Sequence, residues 1–172
     1  MPPSLLPTET PNPASAAMDS LSPLEFARLM NRLDAAVPLA VAEALPRIAQ
    51  AIETIAAQLA GGGRLFYRGA GTSGRLGVLD ATELVPTFSW PQERAIALIA
   101  GGEQAIVRSV EGAEDDPALA REELRGHDFG PEDVLVGIAA SGGTPYVLGG
   151  LAYARRVGAP TVAVVCNPGS PV

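Results

Sequence analysis

Two short stretches combine glycines with hydroxyl side chains, as phosphate-binding loops do. The first is Gly69-Ala70-Gly71-Thr72-Ser73-Gly74, and the second is Ala140-Ser141-Gly142-Gly143-Thr144. Each follows a β-type run and precedes a helical pattern. Glycine lets the backbone approach an anion closely, and the N–H groups at a helix start point toward the anion with the positive end of the helix dipole. The hydroxyls of Ser73, Ser141 and Thr144 would add donors, so the two loops together predict a phosphate cradle without lysine.

The two loops also fit other structures. Either loop alone is also typical of a tight turn with a Ser or Thr helix cap. The Gly-x-Gly-x-x-Gly order of the first loop resembles a dinucleotide turn, which expects an acidic residue at the end of the next strand, roughly 20 residues on. That strand ends Ile99-Ala100-Gly101-Gly102, and the first acid, Glu103, falls in the following loop. Two similar loops on neighbouring strands therefore favour a smaller phosphate ligand.

Ser141 also lies in a stretch that partly resembles a nucleophile elbow. The first glycine of that motif is absent, and the only histidine, His127, lies among polar residues. Both facts argue against hydrolysis of the Ser-His-Asp kind.

Carboxylates supply the remaining candidates for chemistry. Glu83 lies in an otherwise apolar helical stretch after the first loop, and Glu111 and Glu114 lie in "SVEGAEDD". A single glutamate on a helix is more often a solvated surface group. An apolar surrounding, however, favours the protonated carboxylic acid, which is the form that a general acid needs.

The elements that must position these residues form an alternating pattern. Runs rich in Val, Ile, Leu and Ala occur at residues 64–68, 94–100, 133–139 and 160–166, with helical stretches between them. This pattern predicts an α/β fold, a three-layer α/β/α sandwich with a parallel, flavodoxin-like sheet. Ligands bind such sheets at the carboxyl ends of the strands, where both glycine loops lie.

The rest of the chain divides by composition. Residues 1–20 are rich in proline and predict a flexible arm. Residues 21–60 predict two helices: one after the capping box at Ser22 and Glu25, the other from Val37 or Pro46 to Ala60. Residues 61–172 form the predicted sheet domain. It ends soon after the fourth strand, so we expect a partner chain or further sequence to cover that edge.

Composition limits the classes of function. The chain has 172 residues, is 47% hydrophobic and has a net charge of −7, which disfavours nucleic acid and anionic membranes as partners. No apolar run approaches roughly 18 residues and no signal peptide is recognisable, so a cytoplasmic protein is expected. With Cys166 and His127 each the only residue of its type, neither a disulfide nor a metal site is predicted, and no cofactor.

Four stretches together resemble the N-acetylmuramic acid 6-phosphate etherases, a family with the sugar isomerase (SIS) fold. They are "GGGRLFYRGAGTSGRLGVLDATELVPTF", "LIAGGEQAIVRSVEGAEDD", "DVLVGIAASGGTPYV" and "APTVAVVCNPGSPV". The resemblance runs from about Leu21 to Val172. It implies a lyase of cell-wall recycling that removes the D-lactyl ether from the sugar phosphate, leaving N-acetylglucosamine 6-phosphate and D-lactate.

The resemblance also implies roles for individual residues. Glu83 matches the acid that protonates the departing lactate oxygen, and Glu114 matches the base at carbon 2. Ser73, Ser141 and Thr144, with the glycine loops around them, match sugar-phosphate-binding positions. Gly143 stands where the family usually has Arg. The resemblance also implies a homodimer.

Family members extend well over a hundred residues further, so the resemblance implies a chain shortened at its C-terminus. A shortened chain could be an inactive fragment. The alternative function is a non-catalytic sugar-phosphate sensor on the same fold, such as the glucokinase regulatory protein. A sensor needs the phosphate loops but has no use for an acid and a base beside carbons 2 and 3, so the two glutamates favour the enzyme.

Overall fold

The computed structural model of the protein describes residues 7–172, and the part of the predicted arm at residues 1–6 lies outside the described residues. Two compact units are present, Met1–Glu53 and Thr54–Val172. Within the described part of the first unit, three short 3-10 turns precede the first long helix. They span Pro7–Glu9, Pro13–Ser15 and Met18–Ser20.

Helix α1 spans Pro23–Asp34, and its start confirms the predicted capping box. The Ser22 hydroxyl accepts a hydrogen bond from the Glu25 backbone N–H, and the Ser22 N–H donates to the Glu25 carboxylate at 2.9 Å. The Ser22 hydroxyl also donates to the Glu25 carboxylate, and this bond, together with the one from the Ser22 N–H, lowers the pKa of Glu25. Helix α2 spans Val37–Ala60, so it begins at the earlier of the two predicted positions and contains Pro46.

The expectation that no stretch is long and apolar enough to span a membrane is wrong for one helical region. Within Pro23–Ala60, an 18-residue window is apolar enough to cross a membrane by length and composition, and none of it is buried in the structure. One such helix near the N-terminus is weak support for a span, since signal sequences and core helices meet the same criterion. In this structure the window forms an exposed apolar surface.

The second unit contains a four-stranded parallel sheet. Its strands are β1 (Leu65–Gly69), β2 (Ala95–Ile99), β3 (Val134–Ile138) and β4 (Thr161–Val164), in the order β2-β1-β3-β4. The connecting helices are α3 (Gly71–Phe88), α4 (Gln104–Val107), α5 (Pro117–Gly126) and α6 (Pro145–Arg156). The order is flavodoxin-like, and the four predicted strands are confirmed.

Helices cover both faces of this sheet, which confirms the predicted three-layer sandwich. On one face, the buried residues Leu65 of β1 and Val134 of β3 pack against partly buried residues of the end of α2 and of α3, namely Ile55, Leu59 and Leu84. On the other face, the strands pack against α5 and α6; residues of that cluster include Phe66, Leu135, Leu124, Tyr146, Val147 and Leu151. Such continuous burial explains why the strand sequences lack polar alternation.

The pairing of β1 with β3 positions the two glycine loops. Gly69 is level with Ile138 across the pair, so both loops leave the sheet at the same height. Adjacent strands lie about 4.8 Å apart, so the first residues after them are neighbours. The chain order reverses between these two strands, which is where flavodoxin-like sheets bind ligands.

An ion pair at the opposite end of the sheet fixes the starts of β1 and β3. Asp133 is buried, and its carboxylate accepts hydrogen bonds from the Arg64 backbone N–H, from the Arg64 guanidinium at 2.8 Å and from the Gly130 N–H. The pairing raises the pKa of Arg64. Arg64 also donates to the carbonyls of His127 and Asp128, which tethers the end of α5.

Removing this carboxylate should destabilise the sheet unit. We expect Asp133→Ala to lower the free energy of unfolding by about 3 kcal/mol, because the partly buried guanidinium and two N–H groups lose their acceptor. The measurement is urea denaturation, with the midpoint lowered and the m-value unchanged. Glu132→Ala, which removes the adjacent exposed carboxylate, is the control, with an expected change within about 0.5 kcal/mol. Equal effects of both substitutions would contradict this role of Asp133.

Candidate functional site

The first glycine loop brings the start of α3 against the end of β1. A Cβ atom on Gly74 would lie 2.6 Å from the Ile99 side chain and 2.7 Å from the Gly69 carbonyl oxygen, so only glycine fits there. Gly71 has φ +52°, a left-handed conformation that favours glycine. Thr72 is exposed, and Ser73 is half-buried in the first turn of the helix.

The second glycine loop is held from behind by the segment after β4. The Asn167 side chain donates to the Ser141 carbonyl at 3.0 Å, and a Cβ on Gly142 would lie 2.1 Å from the Ser170 hydroxyl. Gly142 is buried with φ +70°, whereas Gly143 is exposed and has open space around it. The Gly143 N–H donates to the Ser141 hydroxyl, which closes the turn before α6.

The starts of α3 and α6 differ from those of α1 and α5. Ser22 caps α1 and Asp116 caps α5 through side-chain hydrogen bonds. Neither Ala70, before α3, nor Thr144, before α6, makes a side-chain cap bond. No Ser or Thr side chain therefore caps either helix, although the Ser141 hydroxyl does close a tight turn. Both long helices turn uncapped backbone N–H groups toward the carboxyl end of the sheet, an arrangement suited to an anion.

A buried cation links the strand before the first loop to the helix that follows the second loop. Arg68, on β1 just before the first loop, has 1% of its surface exposed. Its guanidinium donates to the Glu123 carboxylate of α5 at 3.1 Å and lies 4.5 Å from the ring centre of Tyr146, two residues after Thr144. The Tyr146 hydroxyl donates to the same carboxylate oxygen. Burial lowers the pKa of Arg68 and raises that of Tyr146.

A cavity of about 170 Å³ joins the first loop to the segment that carries Glu114. Glu114 lies exposed in a 3-10 turn, Ala113–Asp115. The lining residues include Gly71, Arg75, Arg108, Ser109, Glu111 and Glu114. The Arg75 guanidinium donates to the carbonyls of Ile106 at 2.9 Å and Arg108 at 3.2 Å, so α3 holds this segment in place. Glu111 accepts a hydrogen bond from Ser109.

Glu83 does not join Glu114 within one chain. It lies twelve positions after Gly71 on α3, and at 1.5 Å per residue that places it about 18 Å further along the helix axis. It does not line the cavity that Glu114 lines. Glu83 is exposed, so the apolar surrounding expected from the sequence is absent around it in the single chain. It shares an exposed helix face with Leu76 and Leu79.

A larger opening of about 770 Å³ follows the unpaired edge of β2. Apolar residues of α3 and β2 line most of it, with Glu123 and His127 at one side, and none of the predicted site residues lines it. Its size comes from the uncovered edge strand rather than from converging polar groups. The smaller cavity beside the glycine loops is therefore the better candidate site.

A family model described as the glucokinase regulatory protein N-terminal SIS domain matches residues 47–155. The matched range covers more than half of the chain and includes both glycine loops. The chain belongs to this family of SIS domains.

Curated relatives of this SIS domain are named N-acetylmuramic acid 6-phosphate etherase, which confirms the resemblance found in the sequence. The relative from Aeromonas hydrophila is 54% identical over 165 residues, covering 96% of this chain and 55% of the relative. The relative from Vibrio vulnificus is 54% identical over 169 residues, covering 98% of this chain and 56% of the relative. The chain thus spans about half the length of the curated relatives it matches.

Solved structures support the fold. The phosphoheptose isomerase from Neisseria gonorrhoeae superposes with a TM-score of 0.63 at 19% identity, covering 82% of this chain and 73% of that one. The phosphoheptose isomerase from Francisella tularensis gives 0.61 at 17% identity, covering 88% and 79%. At these identities the likeness is one of fold alone.

Sequence reasoning missed the arginines of this SIS domain. Arg75 follows the first glycine loop directly, a placement next to a predicted phosphate site that could have drawn attention to it. Arg68 falls within a predicted buried strand, where a charged residue needs a partner. Arg108 carried no signal, because it becomes a neighbour of Gly71 only through the folding of the segment after β2.

The glycines of the two loops should tolerate substitution very differently. Gly74→Ala should lower the free energy of unfolding by about 1–3 kcal/mol, because its Cβ would collide with the Gly69 carbonyl and the Ile99 side chain. Gly143→Ala is the matched control, since a Cβ there would meet nothing closer than 3.8 Å and the backbone needs no left-handed conformation. Urea denaturation of the two variants tests this, and equal stability would contradict the packing role of Gly74.

Proposed function

We propose that this SIS domain is the sugar-phosphate-binding part of an N-acetylmuramic acid 6-phosphate etherase, a carbon–oxygen lyase of peptidoglycan recycling. The observation that carries the proposal is the pair of uncapped helix starts at the β1/β3 switch point, with Glu114 in the adjoining cavity. The names of the 54% identical relatives support it. In this proposal residues 61–172 form the sugar-phosphate domain, preceded by the helices of residues 21–60.

The proposed reaction is an elimination followed by addition of water. Opening the sugar ring frees the aldehyde at carbon 1, which acidifies the proton on carbon 2. Glu114 removes that proton, the electron pair forms the carbon 2–carbon 3 double bond, and the carbon 3–oxygen bond breaks. Glu83 protonates the departing lactate oxygen. Water then adds to carbon 3, a proton returns to carbon 2, and N-acetylglucosamine 6-phosphate and D-lactate result.

The phosphate takes no part in bond breaking. In the proposed complex, the backbone N–H groups of Gly71 to Gly74 and of Ser141 to Thr144 hold it, with the hydroxyls of Ser73, Ser141 and Thr144. The binding energy of this remote group orients carbons 2 and 3 toward the carboxylates. Backbone donors suit a chain of net charge −7, whose overall field repels anions. The mechanism requires neither metal nor cofactor.

The two glutamates come together in a homodimer. Carbons 2 and 3 are bonded neighbours, whereas Glu83 lies about 18 Å along α3 from the loop beside Glu114. A second copy packed on the exposed face of α3 would bring its own Glu83 to the site and bury that side chain against Leu76 and Leu79. Apolar burial is the surrounding that favours a protonated acid. An etherase acting in this way would work on recycled wall sugars in the cytoplasm.

The family model favours a second candidate. Its description names a regulatory protein, and a non-catalytic sensor would use the same glycine loops to bind a sugar phosphate. The discriminating residues are Glu83 and Glu114. A sensor gains nothing from either carboxylate, so their substitution would leave its ligand binding intact and no lactate would be released at any stage.

D-lactate release from N-acetylmuramic acid 6-phosphate tests the proposal. We expect Glu83→Gln and Glu114→Gln each to lower the rate by about 10² to 10⁴, the usual contribution of one acid or base. Glu111→Gln is the matched control, since Glu111 lines the same cavity and has no assigned proton transfer; its rate should change less than about threefold. Unchanged rates in both variants would overturn the roles of these residues.

Chain length is tested in the same assay. If the 172-residue chain releases no lactate and a chain extended to the length of its relatives does, the fragment lacks part of the site. If neither releases lactate and both bind N-acetylglucosamine 6-phosphate, the regulatory function is the correct one.

A further inference from the structure

We propose that Arg108, supported by Arg75, binds the carboxylate of the group that is ether-linked to carbon 3 of the sugar. This inference rests on the proposed function and makes the site specific for a 2-carboxyalkyl ether, a leaving group that carries its own negative charge. Nothing in the reaction at carbons 2 and 3 requires that charge.

The volume of the cavity limits which part of the substrate can enter it. At about 170 Å³ it lies below the roughly 300–1,000 Å³ of pockets that enclose drug-sized ligands. A whole acetylated sugar phosphate with its side arm would not fit inside it. A three-carbon acid would fit, with the sugar ring and the phosphate outside it along the glycine loops.

Two arginines in the lining of the cavity could bind an anion. Among the described residues, only Arg64 and Arg68 form side-chain ion pairs, so the guanidinium groups of Arg75 and Arg108 lack a carboxylate partner. Arg75 is fixed by its bonds to two backbone carbonyls, and these do not neutralise its charge. The lining of the cavity therefore combines two arginines that make no ion pair with the carboxylates of Glu111 and Glu114.

The acidic residues of the cavity limit where an anion can lie. Glu111 is already bonded to Ser109, and Glu114 is the proposed base at carbon 2. A substrate carboxylate would be repelled by both, so the arginines are the groups of the lining that can hold it. The ether oxygen is on carbon 3, one carbon removed from the proton that Glu114 takes, so in the proposed complex the arm and Glu114 need not compete for one place.

Arg108 is the better residue to test, because its structural role lies in its backbone. Its carbonyl accepts the bond from Arg75, while its side chain is exposed and makes no ion pair with the described residues. Arg108→Gln would remove the charge and keep that carbonyl. Arg108→Lys would keep a charge and lose the planar fork that binds both carboxylate oxygens.

The experiment measures binding of three unreactive ligands to the 172-residue chain by calorimetry. All three are methyl glycosides, which cannot open to the aldehyde and so cannot eliminate. They are methyl N-acetylmuraminide 6-phosphate, the same compound with its lactyl carboxylate converted to the amide, and methyl N-acetylglucosaminide 6-phosphate. Arg125→Gln, an exposed arginine of α5, is the control variant.

We expect the acid to bind the unsubstituted chain about tenfold more tightly than the amide. Arg108→Gln should abolish this difference and leave the affinity for the glucosaminide phosphate unchanged, Arg108→Lys should restore part of it, and Arg125→Gln should behave as the original chain does. Equal binding of acid and amide, with the glucosaminide phosphate bound, would overturn the role of Arg108 alone. Failure of the glucosaminide phosphate to bind would overturn the proposed function as well.

Discussion

A buried guanidinium links the elements that form the candidate site. Arg68 emerges from the central strand between two glycine-rich helix starts, and a charge at that depth requires a carboxylate and dense packing around it. Glu123 supplies the carboxylate, and Tyr146 supplies both a ring face and a hydroxyl to the same oxygen. Gly150 is small enough for the arginine stem, since a Cβ there would lie 2.6 Å from Arg68 Cδ. One side chain thereby locks β1, α5 and α6 in the geometry that sets the two loops side by side.

The parts of the fold that the sequence predicted are those governed by local pattern. Capping at Ser22, the four apolar runs and the glycine loops each follow from residue types within a few positions of one another. Parallel pairing of neighbouring strands followed from the crossover rule, and it was enough to predict that both glycine loops leave the same edge of the sheet. Distances along a helix can also be predicted from the sequence, since the separation of Glu83 from the loop at Gly71 follows from the number of residues between them on α3.

What could not be predicted depends on contacts between distant segments. Arg75 holds the loop after β2 through hydrogen bonds to residues more than thirty positions away, and no local sequence pattern predicts these bonds. The same applies to Asn167 and Ser170 behind the second loop. The hydroxyls that resembled helix caps are another case, because only the three-dimensional positions show that neither α3 nor α6 is capped by a side chain. That absence of caps is the feature that turns two ordinary turns into a candidate anion site.

In the proposed function the two loops form a single sugar-phosphate site. Its most direct test is a titration of the 15N-labelled chain with N-acetylglucosamine 6-phosphate, followed by the backbone amide signals of residues 71–74 and 141–144. If both loops bind the phosphate, both sets shift together with one dissociation constant, and unphosphorylated N-acetylglucosamine leaves them in place. Shifts confined to one loop, or equal shifts with the unphosphorylated sugar, would contradict it.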